Sequence, residues 1–433
     1  MKRNKPLAML SPLCLALIAG NACAALEPFT LGASENVQHH SNLNHTADGE
    51  EMSDRISTTE FNAALDQALG RDKLVASLAV DFNRYKRSHS LNSTGYQAAA
   101  EFDWNTVGDL SGALGASSLR RQYIAGETGE VVSGSTDPTI INQRNLQTDN
   151  HAFANIALGG ESRWTIFGGV DANQRRYSLA DFRFNDEHQW STHAGTRYST
   201  SPDLSFGLTG NYVHGEYPGG AEPTGQGFSL FVPASRFVTR SIDATTKWQA
   251  SGNSALDASV GYTTETNDQL TSDRKFVNGS LNWSWKPPSH FSVILGLKRS
   301  SDADSPFGGL NAGVANTGNL NGTSINNVAH LEVVYALTAK VSLDASGDYT
   351  QRKYSGLKVG DADVAGTTNT SGFLLTAHYQ PTRTTDVSCG AGREKRTGQV
   401  LLPVANPPGS PPKNLLPGYT DNYLQCMASI KFD

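Results

Sequence analysis

Charged residues in this sequence keep to alternate positions. Asp81, Glu101, Asp103, Asp171, Asp257, Asp344 and Asp348, and the cations Arg175, Arg197, Lys247 and Lys298, all lie in stretches where polar and apolar residues alternate. In an extended chain successive side chains point to opposite sides, so these groups occupy a polar face. Charges of both signs on such a face either pair across strands and stay hydrated, or line a route for a hydrated solute. Tyr177 and Tyr354 would offer ring faces for stacking near the mouth of that route.

Covalent and metal chemistry have less footing. Nucleophilic catalysis needs a nucleophile, a base and an orienting group at close quarters, and no Gly-x-Ser-x-Gly elbow occurs. His39 and His40 are adjacent, so on a strand they point to opposite faces, and Asp302-Ala303-Asp304 lacks the remaining spacing of a calcium loop. We expect no enzyme activity, no metal and no cofactor. Cys389 and Cys426 share a face with Val387, Ala391 and Leu424 and stand nearly equidistant from the middle of the loop between their stretches. Opposed positions on antiparallel strands can bridge, so these two form either a disulfide or a pair of free thiols facing the membrane.

The elements that carry these residues read as strands. The last stretch, Tyr419 to Asp433, places Leu424, Cys426, Ala428, Ile430 and Phe432 on every second position. Leu424, Ile430 and Phe432 thereby resemble the C-terminal signal read by the assembly machinery of outer-membrane barrels, with Phe432 penultimate. The same alternation recurs at Tyr96 to Trp104, Trp164 to Val170, Leu256 to Tyr262, Leu281 to Trp285, Val341 to Ala345 and Phe373 to Tyr379. The runs are about 13 to 16 residues long, more than the 9 to 11 a tilted strand needs to cross hydrocarbon.

Connections between the runs alternate in length. Short ones include Gly70-Arg71-Asp72, Val107-Gly108-Asp109, Gly159-Gly160-Glu161, Ser201-Pro202-Asp203, Ser251-Gly252-Asn253, Pro287-Pro288-Ser289, Leu337-Thr338-Ala339 and Pro381-Thr382-Arg383. Between them lie longer polar stretches: His40 to Met52, Gly126 to Asn142, Pro218 to Pro233, Asp302 to Leu320, Ser355 to Thr367 and Thr397 to Gly418. Two classes of connection describe an all-β, antiparallel up-and-down transmembrane barrel with periplasmic turns and extracellular loops. The count is about eighteen strands, with sixteen as the alternative, and an even count leaves both termini periplasmic. A propeller or soluble β array would not alternate its connections in this way, and no segment long enough for a helix shows the 3.6 period.

Composition agrees with a barrel. A mean hydropathy of -0.39 would suit a soluble protein, but a barrel dilutes its apolar residues with lumen-facing polar ones. The net charge of -6 argues against a nucleic-acid partner, which needs a basic surface. Lys2, Arg3 and Lys5, the apolar run Leu7 to Ala19 and the small-x-small sequence Ala22-Cys23-Ala24 describe a secretory signal peptide, residues 1–24, preceding the barrel, residues 25–433. The expected setting is the bacterial outer membrane, with its lipid and the barrel assembly machinery as partners. Trp104, Trp164, Trp190, Trp248, Trp283 and Trp285 suit the aromatic girdles at its two interfaces.

Leu31 to Asn36, Ser53-Asp54-Arg55-Ile56-Ser57-Thr58-Thr59, Gly70-Arg71-Asp72 and Tyr85-Lys86-Arg87 resemble the opening strands of EpsL-type outer-membrane proteins of exopolysaccharide operons. Those proteins belong to a broader group of β-barrel porins. The resemblance implies a barrel encoded with exosortase-associated biosynthesis genes and acting in export of a polysaccharide, with periplasmic export components as further partners. It brings no functional residues. A general diffusion porin for small solutes, and a structural or receptor barrel plugged by its own loops, are the alternatives.

Overall fold

The protein is described by a computed structural model over residues 28–123, 143–159, 162–180, 183, 186–218, 220–222, 230–232, 234–268, 273–301, 324–359, 362–402, 413–414 and 418–432. The signal-peptide stretch with Ala22 and Ala24 lies outside these residues, as do the loops 126–142 and 302–320 and the prolines between Pro403 and Pro412. Eighteen antiparallel strands close into one barrel. They are β1 Phe29–His40, β2 Asp54–Leu69, β3 Asp72–Tyr85, β4 Ser93–Asn105, β5 Leu110–Gln122 and β6 Leu146–Leu158. Then come β7 Trp164–Tyr177, β8 Glu187–Ser201, β9 Leu204–Tyr217, β10 Ser235–Ser251, β11 Ser254–Asn267 and β12 Arg274–Trp285. The last six are β13 Phe291–Ser301, β14 Ser324–Ala336, β15 Val341–Val359, β16 Ala362–Tyr379, β17 Thr385–Leu402 and β18 Tyr419–Phe432. A small hairpin, Gly220–Glu222 with Leu230–Val232, and the two-residue strand Lys413–Asn414 stand outside this count.

Period-two alternation decides which side of the wall each residue meets. Directly opposed residues share a face, and following the register around the barrel sorts the apolar set outward: Ile242 is 63 % exposed, Ile166 and Leu424 60 %. Large apolar residues exposed on strand after strand suit hydrocarbon, so the structure is that of an outer-membrane barrel. The tryptophans also face outward, and Trp283 and Trp285 stack near a short turn with ring centroids 6.3 Å apart. Seven of the eight short connections are described in full and reverse the chain at one end of the barrel; Gly160 and Glu161 of the eighth lie outside the described residues. Gly70 supplies the positive φ of +71° that lets Leu69 reverse into Asp72.

Two expected loops are strand over part of their length. Ser355 to Thr367 continues β15 and β16 as a hairpin, with Lys353 opposite Thr367 and Val359 opposite Ala362 beyond a bulge after Tyr354. Gly398 to Leu402 likewise extends β17 against β16, with Gly398 at φ +108°. Beyond the bilayer both faces of a hairpin meet water, so backbone pairing sustains it without apolar alternation.

Closure is made by β18 on β1, in register from Leu31 opposite Phe432 to His40 opposite Tyr423. Ile430 and Phe432 face outward at the periplasmic end of that seam, and Leu424 faces outward nearer its extracellular end. Cys389 and Cys426 are directly opposed on β17 and β18, with Cα atoms 4.1 Å apart, and are joined by a disulfide. At the extracellular end Asp421 gathers the first loop: His40 Nδ1 lies 2.6 Å away, the Asn42 amide donates at 2.8 Å and Ser41 Oγ at 3.2 Å. His45, at φ +51°, stacks on Tyr419 with centroids 4.2 Å apart. Burial lowers the His45 pKa to about 4, against the opposing pull of Asp421.

Two predictions concern this seam. Unfolded His45 would titrate near 6.5, so its folded-state stability is full above that pH and drains away as pH falls toward about 4. Amide protection of Leu43, whose N–H donates to Met52, should therefore drop over that window, and His45→Phe should abolish the pH step. Second, alkylation without reductant should label neither Cys389 nor Cys426. Reduction should lower barrel stability by about 4 kcal/mol or less in the chain-entropy account of a crosslink spanning 37 residues.

Candidate functional site

The inward face builds the candidate site, and its charges fall at three depths. At the extracellular end they are buried. Arg175 Nε donates to Asp149 at 3.1 Å and its Nη1 lies 3.6 Å from Glu187, while Arg274 Nη2 reaches both oxygens of Glu265 at 2.7 and 2.8 Å. The Arg396 guanidinium sits 4.6 Å from the Tyr419 ring centroid. Arg175, expected to line the route, is 6 % exposed, because its charge is spent on two carboxylates inside the wall. Tyr177 and Tyr354 are likewise closed to a solute at 5 % and 3 % exposure. Tyr177 packs edge-on against Tyr123, as Tyr217 packs on Phe237, where the Gly215 backbone leaves room for the ring. Apolar collar and ion pairs together brace the mouth. In the loop before β8, Asp186 accepts the Tyr177 amide at 2.8 Å, and burial raises its pKa.

At middle depth the wall holds an open polar recess of about 320 Å³. Asp243 is its best-anchored group: Asn211 Nδ2 donates at 2.6 Å, Ser241 Oγ at 2.7 Å and Asn278 Nδ2 at 2.6 Å. Three donors fix that carboxylate in place. Asp171 lines the same recess, with His151 at 3.3 Å, Ser191 at 3.4 Å and His193 at 3.7 Å. Lys298, opposite Ser280, brings a cation to the same recess. Asp348 meets His330 Nδ1 at 2.7 Å on the facing arc.

Toward the periplasm the remaining expected residues face inward as follows. Glu101 and Asp103 stand on β4, with Asp103 directly opposite Lys73. Lys247 is directly opposite Asp257, Arg197 opposite Thr165 and Gly207, and Asp344 opposite Thr376. Asp81 lies instead in the extracellular half of β3, where it accepts Asn83 Nδ2 at 2.5 Å. Register therefore brings Asp171 and Lys298 to one recess and leaves Asp81, Glu101 and Asp344 apart from it.

Sequence reasoning passed over Asp243, Asn211, Asn278 and the three histidines. Their parity was available, since Asp243 shares the face of Lys247 four residues on, but their meeting across strands depends on register. Among the described residues no group of His, Cys, Asp or Glu is placed to hold a metal ion. The lumen offers hydrogen-bond donors, acceptors and fixed charges of both signs, which suits reversible contact with a polar, hydrated solute.

No protein-family model and no curated protein matches the chain. Among solved structures it is similar to the outer-membrane protein OpdK from Pseudomonas aeruginosa, at 12 % identity and a TM-score of 0.47, covering 94 % of this chain and 100 % of that one. It is also similar to the FrpB iron transporter from Neisseria meningitidis, at 11 % identity and a TM-score of 0.44, covering 93 % and 81 %. The siderophore receptor PirA from Pseudomonas aeruginosa matches at 9 % identity and a TM-score of 0.41, covering 94 % and 80 %.

Proposed function

We propose that this outer-membrane barrel is a passage for an extracellular polysaccharide leaving the cell, acting by transport and without covalent chemistry. The observation that carries the reading is the inward face. Eighteen strands are enough for an aqueous lumen, since even 16-strand barrels hold one. Every barrel strand packs extensively only on its two neighbours, so no described strand divides that lumen. Fixed carboxylates, amides and hydroxyls along the wall give a hydrated polymer exchangeable hydrogen bonds, and the likeness to EpsL-type proteins supplies the polymer class. The buried mouth leaves stacking on Tyr177 and Tyr354 out of this route; contact is through the polar recess.

A second reading has its own observation. The recess sets Asp171 and Asp243 beside Lys298, and a wall of opposite charges also suits a diffusion porin for small charged solutes.

Single-channel conductance of the refolded barrel separates the two. A polysaccharide route should give a large conductance with blocking events that lengthen as added oligosaccharide chains lengthen. Conductance indifferent to sugar length would leave the porin. In either case Lys298→Glu should shift ion selectivity toward cations, and an unchanged reversal potential would place the recess off the conducting path.

A further inference from the structure

The lipid-facing wall of β4 to β8 is not a uniform apolar belt. A groove of about 970 Å³ crosses its outer surface. Its floor is one hydrogen-bonding row of alanines, Ala100, Ala116, Ala152 and Ala172, directly opposed from β4 to β7. Trp190 on β8 stands opposite Ala172 and walls the extracellular end, 46 % exposed.

Climbing β5 and β7 away from the periplasmic turns, the outward positions change character in steps of about 7 Å, two residues of extended chain. On β5 they read Leu114, Ala116, Ser118, Arg120, and on β7 Val170, Ala172, Gln174, Arg176. The polar step is a continuous ladder across strands: Ser118 Oγ donates to Asn150 at 2.7 Å, Asn150 Nδ2 to Gln174 at 3.5 Å, and Gln174 Nε2 lies 3.0 Å from His188 Nδ1. Above it Arg120 and Arg176 flank Thr148 on β6, each directly opposite it.

Neither of these two guanidiniums is held in an ion pair, although Asp186 acts on Arg176 at longer range. Among the described residues neither has a carboxylate within ion-pair distance, whereas Arg299 on the opposite arc donates to Asn327 at 2.8 Å and Arg236 meets Glu216 at 3.3 Å. Unpaired cations facing a bilayer boundary are costly unless an anion meets them. Guanidinium forks bind phosphate through paired hydrogen bonds.

We propose that this face is a binding site for a phosphorylated lipid of the outer leaflet. Its phosphate sits between Arg120 and Arg176, its polar linkage lies against the Ser118–Asn150–Gln174 ladder, and one acyl chain fills the alanine-floored groove. The two guanidiniums are complementary to an anionic headgroup, while Glu216, which also lines the groove, is engaged by Arg236 and His214. The order cation, polar, small, apolar down β5 and β7 follows that of such a lipid from headgroup to tail.

The test is native mass spectrometry of the full barrel extracted in mild detergent, delipidated, and then offered a phosphorylated glycolipid or its phosphate-free analogue. Wild type should retain the phosphorylated lipid and release the analogue. Arg120→Gln with Arg176→Gln should lower retention about tenfold or more, in line with the loss of charge-assisted hydrogen bonds. Ala152→Phe, which fills the groove and keeps both cations, should also lose the lipid, while Val260→Phe on the opposite wall should keep it. Equal retention of both lipids by wild type, or retention unchanged in the arginine and Ala152→Phe variants, would overturn the proposal. Should the arginine pair prevent refolding, Ala152→Phe against Val260→Phe decides alone.

Discussion

A chain crossing hydrocarbon must satisfy every backbone N–H and C=O within itself, and strands manage this only when no edge is left over. The meeting of β18 with β1 is therefore the contact on which the rest depends. It is reinforced from both ends of the structure's vocabulary. A disulfide ties β18 to β17 on the lipid side, and Asp421 draws His40, Ser41 and Asn42 together on the lumen side. Both fasteners act on the C-terminal strand.

Closure also divides the chemistry. Because alternate residues go to opposite media, each polar residue is assigned water or lipid by parity alone. Inward groups then sort by depth. At the extracellular end they are dry, and their charges must be paired: Arg175 holds two carboxylates and Arg274 grips Glu265. A buried pair of this kind is costly to break, since the remaining partner would be left charged without water. Deeper in the lumen Asp243, Asp171 and Lys298 line one open recess.

Outward polar residues follow a different logic. The ladder from Ser118 to His188 and the arc from Arg299 through Asn327, Gln351 and Asn369 satisfy one another side by side. Hydrogen bonds along the wall let amides face the boundary without a water partner for each group. Arg120 and Arg176 lie just beyond the first ladder, where headgroup chemistry begins.

The sequence by itself determined the architecture, because alternation and connection length are local properties. Period two in Trp164 to Val170 or Leu256 to Tyr262 identifies strands, and the eight short turns announce themselves through Gly, Pro, Asp and Ser. Parity assigned Lys247 and Asp257 to the inward face. What the sequence left open depends on register and depth. Whether Tyr177 faces a solute or packs on Tyr123 turns on how the extracellular end closes over it, and no alternation pattern encodes burial along the barrel axis. The hairpin from Ser355 to Thr367 was illegible for a related reason: outside the bilayer the apolar signal vanishes while the backbone pairing goes on. Tertiary structure alone brought Asn211 and Asn278 to Asp243 from strands on either side, since hydrogen-bonded neighbours in a barrel are set by stagger between strands and not by distance along the chain.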